Sequence, residues 1–111
     1  MVDAEIVAAV RRYLDTLRRD HSIDVVRGVV FGSRAQAAAD KWSDIDLVVI
    51  AREYDQAVSR EDASLLWRVA ARTDSRIEPI PCGERQWTDD QSSAILEIAR
   101  REGEVVNPDG P

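Results

Sequence analysis

Two short groups of residues in the first half of the chain are of the types that handle phosphates and metal ions. Gly32 and Ser33 end one apolar segment, and after ten intervening residues Asp44 and Asp46 open another. A glycine lets the backbone approach a phosphate closely, and a serine offers a hydroxyl and an N–H group to an anion. Two carboxylates one residue apart on a strand share a face and suit a divalent metal ion. The pattern predicts metal-dependent handling of a nucleoside triphosphate.

Two further charged residues extend this candidate site. Glu78 lies near the start of a later apolar segment, and Arg34 directly follows the Gly-Ser pair. We expect Glu78 to join Asp44 and Asp46 as a third metal ligand or as the general base of a two-metal reaction. Arg34 is expected to add positive charge for the triphosphate. The chain has no Gly-Lys-Ser/Thr phosphate loop, so it is not a Walker-type protein.

The composition sets bounds on the class of protein. The 111 residues, 44% of them hydrophobic, predict one globular domain over residues 1–106 and an irregular tail over 107–111. A formal net charge of −6 argues against nucleic acid as a direct partner. The lack of a long apolar run argues against a membrane partner. The single cysteine, Cys82, is expected to be a packing residue and fits a reducing cytoplasm.

Hydrophobic periodicity predicts helices and strands in alternation. A first helix, capped by Asp3, is expected to run to about Asp20. The capping pair Ser59 and Asp62 predicts the start of another helix. The remaining expected elements are strands over 24–31, 45–51 and 76–82, a short helix over 33–39, a connector over 40–43, a helix over 92–101 and a brief extended piece over 104–106. The three tryptophans Trp42, Trp67 and Trp87 are expected to pack, with Trp42 close enough in sequence to border a nucleotide pocket.

The order of these elements constrains the sheet. The second and third strands are joined through a helix, which predicts a parallel pair with a right-handed crossover. Pro79 and Pro81 lie two residues apart, so their missing N–H groups face one side, which must be a sheet edge. The second strand is therefore central. If the first and second strands are antiparallel neighbours, Gly32, Asp44 and Glu78 meet at one end of the sheet.

With these residues in hand, the chain resembles the nucleotidyltransferases of the DNA polymerase β type, and more closely the minimal nucleotidyltransferases (MNT) of bacteria and archaea. The resemblance is carried by Gly-Ser-Arg-Ala at 32–35 and Ser-Asp-Ile-Asp-Leu at 43–47. Ile-Glu-Pro at 77–79 and a run near the C-terminus extend it over nearly the whole chain. It implies a polymerase-β-like α/β (α+β) fold, with a three-stranded mixed sheet of order 1-2-3 and about four helices. It also implies Mg²⁺ and ATP, with Asp44, Asp46 and Glu78 as ligands.

The resemblance further implies a partner, because such proteins are often encoded beside a HEPN-domain toxin. The chain would be the antitoxin, transferring AMP from ATP to a hydroxyl of that toxin. Two alternatives stay open: a weak or inactive binding module that neutralises its partner by complex formation, and a nucleotidyltransferase acting on a small metabolite. Two departures from the family pattern bear on activity. Ala37 stands where many relatives have glycine, and Glu78 replaces the commoner aspartate with a side chain one methylene longer.

Overall fold

The computed structural model describes residues 2–35 and 43–109, and every structural statement below refers to them. In chain order the elements are α1 (Ala4–His21), β1 (Val25–Phe31), a 3-10 turn (Gly32–Arg34), β2 (Ile45–Ala51), a second 3-10 turn (Arg52–Asp55), α2 (Arg60–Thr73), β3 (Ile77–Cys82), α3 (Glu84–Asp89), α4 (Ala94–Glu102) and β4 (Glu104–Val106). Among the described residues, no helix combines the length and apolar character that crossing a membrane requires.

The four strands form one mixed sheet in the order β3-β2-β1-β4. β1 is antiparallel to β2 and to β4, and β2 is parallel to β3. The predicted order of the first three strands is confirmed, but the predicted count of three is wrong. Residues 104–106, expected only as a brief extended piece, are a fourth strand because they hydrogen-bond along the free side of β1. The bounds of this piece agree with the expectation, but three residues carry too little pattern to show that it pairs with β1.

The prolines of β3 lie at the sheet edge, as predicted. Pro79 is aligned with Leu47 and Pro81 with Val49 in the parallel pairing, and no other described strand follows β3 on its outer side. A proline cannot donate a ladder hydrogen bond, so its place in a sheet is an edge. β2 is consequently central, and its interior from Leu47 to Ala51 is fully buried.

The side chains of the strands alternate between two faces, and each face has its own core. On the first face, the odd-numbered residues of β2 pack against α1 and α2 in the larger core. On the second face, the even-numbered residues Val48 and Ile50 pack with Leu96 and Ala99 of α4 in a smaller core. Two long helices thus cover the first face, and two short ones cover part of the second.

Local details confirm some sequence expectations and correct others. The capping box of Ser59 and Asp62 forms in both directions at the start of α2. Asp3 occupies the N-cap position of α1, but its side chain makes no capping hydrogen bond there. Cys82 is buried, and burial raises the pKa of its thiol to about 11, so it packs as an uncharged group.

Other expectations concern the helices and tryptophans. The expected helix over 33–39 begins instead as the 3-10 turn, and its residues 36–39, with Ala37, lie outside the described residues. Of the expected connector over 40–43, residues 40–42, with Trp42, also lie outside them. Helix α3, which has six residues, lies where the sequence pattern predicts no element. Trp67 is 49% exposed on α2, so the expectation that it is a packing residue is wrong. Trp87 is half-buried against the smaller core, as expected.

Candidate functional site

The register of the central strands brings together the residues that sequence spacing singled out. Asp46 on β2 is paired with Phe31, the residue before Gly32, on one side. On its other side Asp46 is paired with Glu78 on β3. Asp44 lies two residues before Asp46, just ahead of β2. The Gly-Ser turn and the three carboxylates therefore meet at one end of the sheet, as the topology predicts.

These carboxylates lie on the second face of the sheet, in line with its smaller core. Asp46 shares that face with Val48 and Ile50, and Glu78 shares it with Ile80. Asp46 and Glu78 are half-buried and Asp44 is exposed. The acids thus stand where the helices α3 and α4 no longer cover the face, between apolar core and solvent.

Burial and mutual repulsion change the acidity of two of the carboxyl groups. Burial raises the pKa of Asp46, a hydrogen bond with Glu78 opposes that rise, and the charge of Asp44 adds to it. Burial also raises the pKa of Glu78, helped by the charges of Asp44 and Asp46 and by hydrogen bonds with them. Carboxylates held this close are stable when they share a proton or a cation. The cluster is therefore a place that favours added positive charge.

The donor set fits Mg²⁺, although the side chains are not already spread into a coordination shell. Within the described ranges, no group of three or more His, Cys, Asp or Glu side chains is arranged to hold a metal ion. Carboxylate oxygens are nevertheless the ligands that Mg²⁺ takes, together with waters and substrate phosphates. Asp46 and Glu78 are close enough to hydrogen-bond each other, so a cation bound between them would separate their oxygens.

Gly32 is required at this turn for two reasons. Its φ of +74° lies in the left-handed region that residues with a Cβ adopt at a cost. A Cβ at this position would also collide with the Oδ2 atom of Asp46. The turn therefore runs directly against the carboxylate. Ser33, the next residue, is exposed and accessible to a ligand.

Arg34 lies inside the turn. The side chain is buried, with 7% exposure, and its Nη2 atom donates a hydrogen bond of 2.8 Å to the backbone carbonyl of Ser43. Its Nε atom has no hydrogen-bond partner within the described part of the chain. Arg34 thus ties the Gly-Ser turn to the residue before Asp44. Sequence reasoning missed Ser43, because a backbone carbonyl acceptor leaves no side-chain signal, and the expected contact of Arg34 with a triphosphate stays a prediction.

Comparisons with known proteins agree with this geometry. The sequence model of the nucleotidyltransferase domain family matches residues 10–102, which is most of the chain. The chain therefore belongs to the nucleotidyltransferase domain family, and the expected polymerase-β-like α/β fold is confirmed apart from the additional strand. Members of this family generally use Mg²⁺ and a nucleoside triphosphate.

Among solved structures, the chain is similar to one described as the crystal structure of a toxin–antitoxin with AMP-PNP. The superposition has a TM-score of 0.59 at 20% sequence identity and covers 86% of this chain and 71% of that one. At this identity the likeness concerns the fold. No curated protein sequence matches the chain.

Proposed function

We propose that the chain is a Mg²⁺-dependent nucleotidyltransferase that transfers AMP from ATP to a hydroxyl group of a partner protein, in the cytoplasm. The observation that carries the proposal is the pairing of Asp46 with Glu78 directly beside the Gly32 turn. Membership in the nucleotidyltransferase domain family supports the reaction class. The similar structure that contains AMP-PNP supports an adenine nucleotide as the donor.

The residues divide the chemistry between them. Asp44, Asp46 and Glu78 would hold Mg²⁺, which when bound neutralises phosphate charge and stabilises the leaving pyrophosphate. The exposed Ser33 and the close-approaching Gly32 would position the triphosphate. Arg34 would keep the turn and the acids in register through its hydrogen bond to Ser43.

The transfer step balances without a further reagent. The acceptor oxygen forms a bond to the α-phosphorus of ATP, the bond from that phosphorus to the β-phosphate oxygen breaks, and pyrophosphate leaves with its electron pair. The acceptor hydroxyl loses its proton to Glu78 where this carboxylate acts as the general base instead of as the third metal ligand. Placement and charge neutralisation carry most of such a reaction.

The partner is proposed to be a toxin of the HEPN type encoded by the adjacent gene, with this chain as its antitoxin. The similar structure is a toxin–antitoxin assembly, which supports this assignment. The family pattern in the sequence, described above, supports the HEPN class. AMP on a toxin hydroxyl would silence the toxin.

A label-transfer experiment tests the proposal. The chain is incubated with ATP labelled at the α-phosphate, Mg²⁺ and the product of the adjacent gene. We expect label on that product with the native chain and a loss of at least 100-fold with Asp44→Asn/Asp46→Asn. A charge-matched control is Asp20→Asn/Asp89→Asn, in which both carboxylates are exposed, and it should transfer label normally.

A second candidate function is a binding module that neutralises its partner by covering it. One observation favours it: in the part of the chain that the structure describes, the acids of the site hydrogen-bond one another and no three ligand-type side chains are arranged around a metal position. If the native chain transfers no label and the Asp44→Asn/Asp46→Asn variant still neutralises the partner, the binding module is correct. Labelling of small metabolites in the absence of any protein partner would instead favour a metabolite nucleotidyltransferase.

A further inference from the structure

Three exposed apolar side chains lie near the C-terminus. Ile95 is 45% exposed, Ile98 is 38% exposed and Val105 is 51% exposed. Ile95 and Ile98 are three residues apart on α4, so they lie on the same side of the helix. Val105 is the middle residue of β4. We call these three residues the edge strip.

The orientation of α4 shows which way its exposed isoleucines face. Leu96 and Ala99 are buried and anchor the helix on the second face of the sheet, where it contacts β1. Arg100 extends from one flank of α4 towards α3, where it donates hydrogen bonds to the carbonyls of Trp87 at 2.8 Å and Gln86 at 2.9 Å. Successive residues of an α-helix are rotated by about 100°, so Ile95 and Ile98 lie on the flank of α4 opposite to Arg100. Because α3 lies on the β2–β3 side of the sheet, that opposite flank faces β4.

Val105 continues the same apolar surface onto the sheet edge. It is paired with Val29, a residue of the second-face core, so it points to the same side of the sheet as α4. In the described ranges no strand pairs with the outer side of β4. The opposite edge, β3, is blunted by Pro79 and Pro81, whereas β4 contains no proline. Because β4 has only three residues, its edge offers few backbone hydrogen bonds, and the apolar side chains must supply most of any binding there.

The edge strip lies beside the candidate active site. Glu104 is paired with Val30, one residue from Phe31, which is paired with Asp46. With strands roughly 4.8 Å apart, the start of β4 is about 10 Å from the backbone of Asp46 across the sheet. Val105 also lies on the face that carries Asp46 and Glu78. A protein bound to the edge strip would therefore be on the correct side, and close enough, to present a hydroxyl to the carboxylates.

The charge of the chain indicates what kind of protein fits. On α4, Glu97 pairs with Arg100 at 3.6 Å and Glu102 with Arg101 at 3.9 Å, so the helix itself carries no net charge, whereas the whole chain has a net charge of −6. Two copies of such a chain repel each other, while a basic partner is attracted. A basic protein segment with apolar side chains is thus the matching occupant.

We propose that the edge strip is the docking surface for the acceptor protein, and that it binds a basic segment carrying apolar side chains. The inference rests on the proposed transfer to a protein hydroxyl, and it names where that protein binds. The binding energy of such surfaces is concentrated in a few apolar anchors, which here are Ile95, Ile98 and Val105.

The test introduces positive charge into the strip. In Ile98→Arg/Val105→Arg the affinity for the product of the adjacent gene, measured by calorimetry, should fall roughly 30-fold. The matched control is Val58→Arg/Trp67→Arg, which changes two exposed apolar residues elsewhere and adds the same charge. Its affinity should stay within about twofold. A second strip variant, Ile95→Gln/Ile98→Gln, keeps good helix formers on α4 and leaves β4 intact.

Kinetic measurements separate docking from chemistry. In the strip variants the acceptor KM should rise while kcat and the affinity for ATP stay unchanged. In Asp44→Asn/Asp46→Asn binding of the acceptor should persist while label transfer is lost. If the native chain binds the product of the adjacent gene through the strip but transfers no label, the docking surface is correct and the proposed reaction is wrong.

Other outcomes overturn the docking proposal. Normal binding and labelling in both strip variants would place the acceptor elsewhere while leaving the proposed reaction intact. A native dimer that becomes monomeric in the strip variants, seen by sedimentation, would assign the strip to a second copy of the chain. Absence of binding between the native chain and the product of the adjacent gene would also contradict the proposal.

Discussion

The two faces of the sheet differ in how completely they are covered. On the first face, α1 and α2 pack over β2 and bury residues such as Leu47 completely. On the second face, α3 and α4 span 6 and 9 residues and cover only part of the strands. Asp46 and Glu78 occupy the part of the second face that these helices leave open. The same β2 strand thus supplies stability on one side and the candidate chemistry on the other.

The partial cover of the second face explains why the pKa values of Asp46 and Glu78 are raised. We call the first face, which α1 and α2 cover, the closed face, and the second face the open face. A carboxylate on the closed face would be fully desolvated, and one far from any core would have an ordinary pKa. At the border of the smaller core, Asp46 and Glu78 are desolvated enough for their pKa to be raised, yet they are reachable from solvent. An incompletely covered sheet face therefore provides both access and altered acidity.

The largest expected effect on stability is on the closed face. Leu47→Ala removes a fully buried side chain between β2 and the two long helices, and it should lower the free energy of unfolding by about 3 kcal/mol. Ile80→Ala, at a half-buried position on the second face, should cost about 1 kcal/mol. Urea denaturation measures both. Equal losses would show that the two faces are packed alike.

A smaller effect is expected where the turn meets the second face. Gly32→Ala should lower the free energy of unfolding by about 2 kcal/mol, because the positive φ becomes strained and the new Cβ collides with Asp46. Ser33→Ala is the control and should have little effect. Adding Asp46→Ala to Gly32→Ala should recover part of the loss, which a double-mutant cycle detects. Strict additivity of the two changes would argue against the collision.

Removing the N-cap of α2, a helix of the closed face, should lower the free energy of unfolding by a smaller amount. Ser59→Ala removes the side-chain acceptor for the N–H of Asp62, 3.0 Å away, at the start of α2. The expected loss is about 1 kcal/mol in thermal or urea unfolding. Ser64→Ala, inside the same helix, should be neutral or slightly stabilising because alanine is the better helix former. A cost at Ser64 as large as at Ser59 would show that the capping contact is not the cause.

The smallest effect is the pH dependence of the open face, since its acids are partly exposed. The raised pKa values of Asp46 and Glu78 mean that the folded state favours their protonated forms. Their contribution to stability is therefore complete below their unfolded pKa values and is lost as pH rises through the folded ones. Asp74, whose pKa is lowered by hydrogen bonds with Arg76, acts in the opposite direction.

A difference measurement isolates this contribution. As pH rises, Asp46→Asn/Glu78→Gln should gain stability relative to the native chain, and Mg²⁺ at neutral pH should stabilise the native chain but not the variant. Urea unfolding across a pH series, with and without Mg²⁺, measures both. A pH-independent difference would contradict the raised pKa values, and equal stabilisation by Mg²⁺ would place metal binding elsewhere.

The elements that the sequence predicts well are those with a strong local pattern. The continuous apolar run of β2 gives its bounds, Pro79 and Pro81 identify the edge, and Ser59 with Asp62 marks the start of α2. The meeting of the Gly-Ser turn with Asp46 and Glu78 follows from strand order alone. The apolar run, the prolines and the capping pair are each contained in a few neighbouring residues, and the strand order follows from combining them.

What the sequence does not predict depends on distant contacts. Helix α3 has six residues, and the backbone N–H of Arg85 near its start donates to Asp55 at 2.8 Å. β4 exists because β1 has a free side, and among the described residues Arg34 is held by the backbone carbonyl of Ser43. The exposure of Trp67 likewise depends on which side of α2 faces the sheet. Such features are set by tertiary packing, which no short window of sequence contains.

The late position of β4 in the chain has a consequence for protein synthesis. β1 pairs with β2 soon after it in sequence, but its other side waits for residues 104–106. Until those residues leave the ribosome, the nascent chain presents an unpaired edge containing Val29 and Val30, which is the type of edge that joins other chains. When residues 104–106 pair with β1, this edge is no longer exposed. Three residues, of which Val106 joins the larger core, thus complete the pairing of β1 late in synthesis.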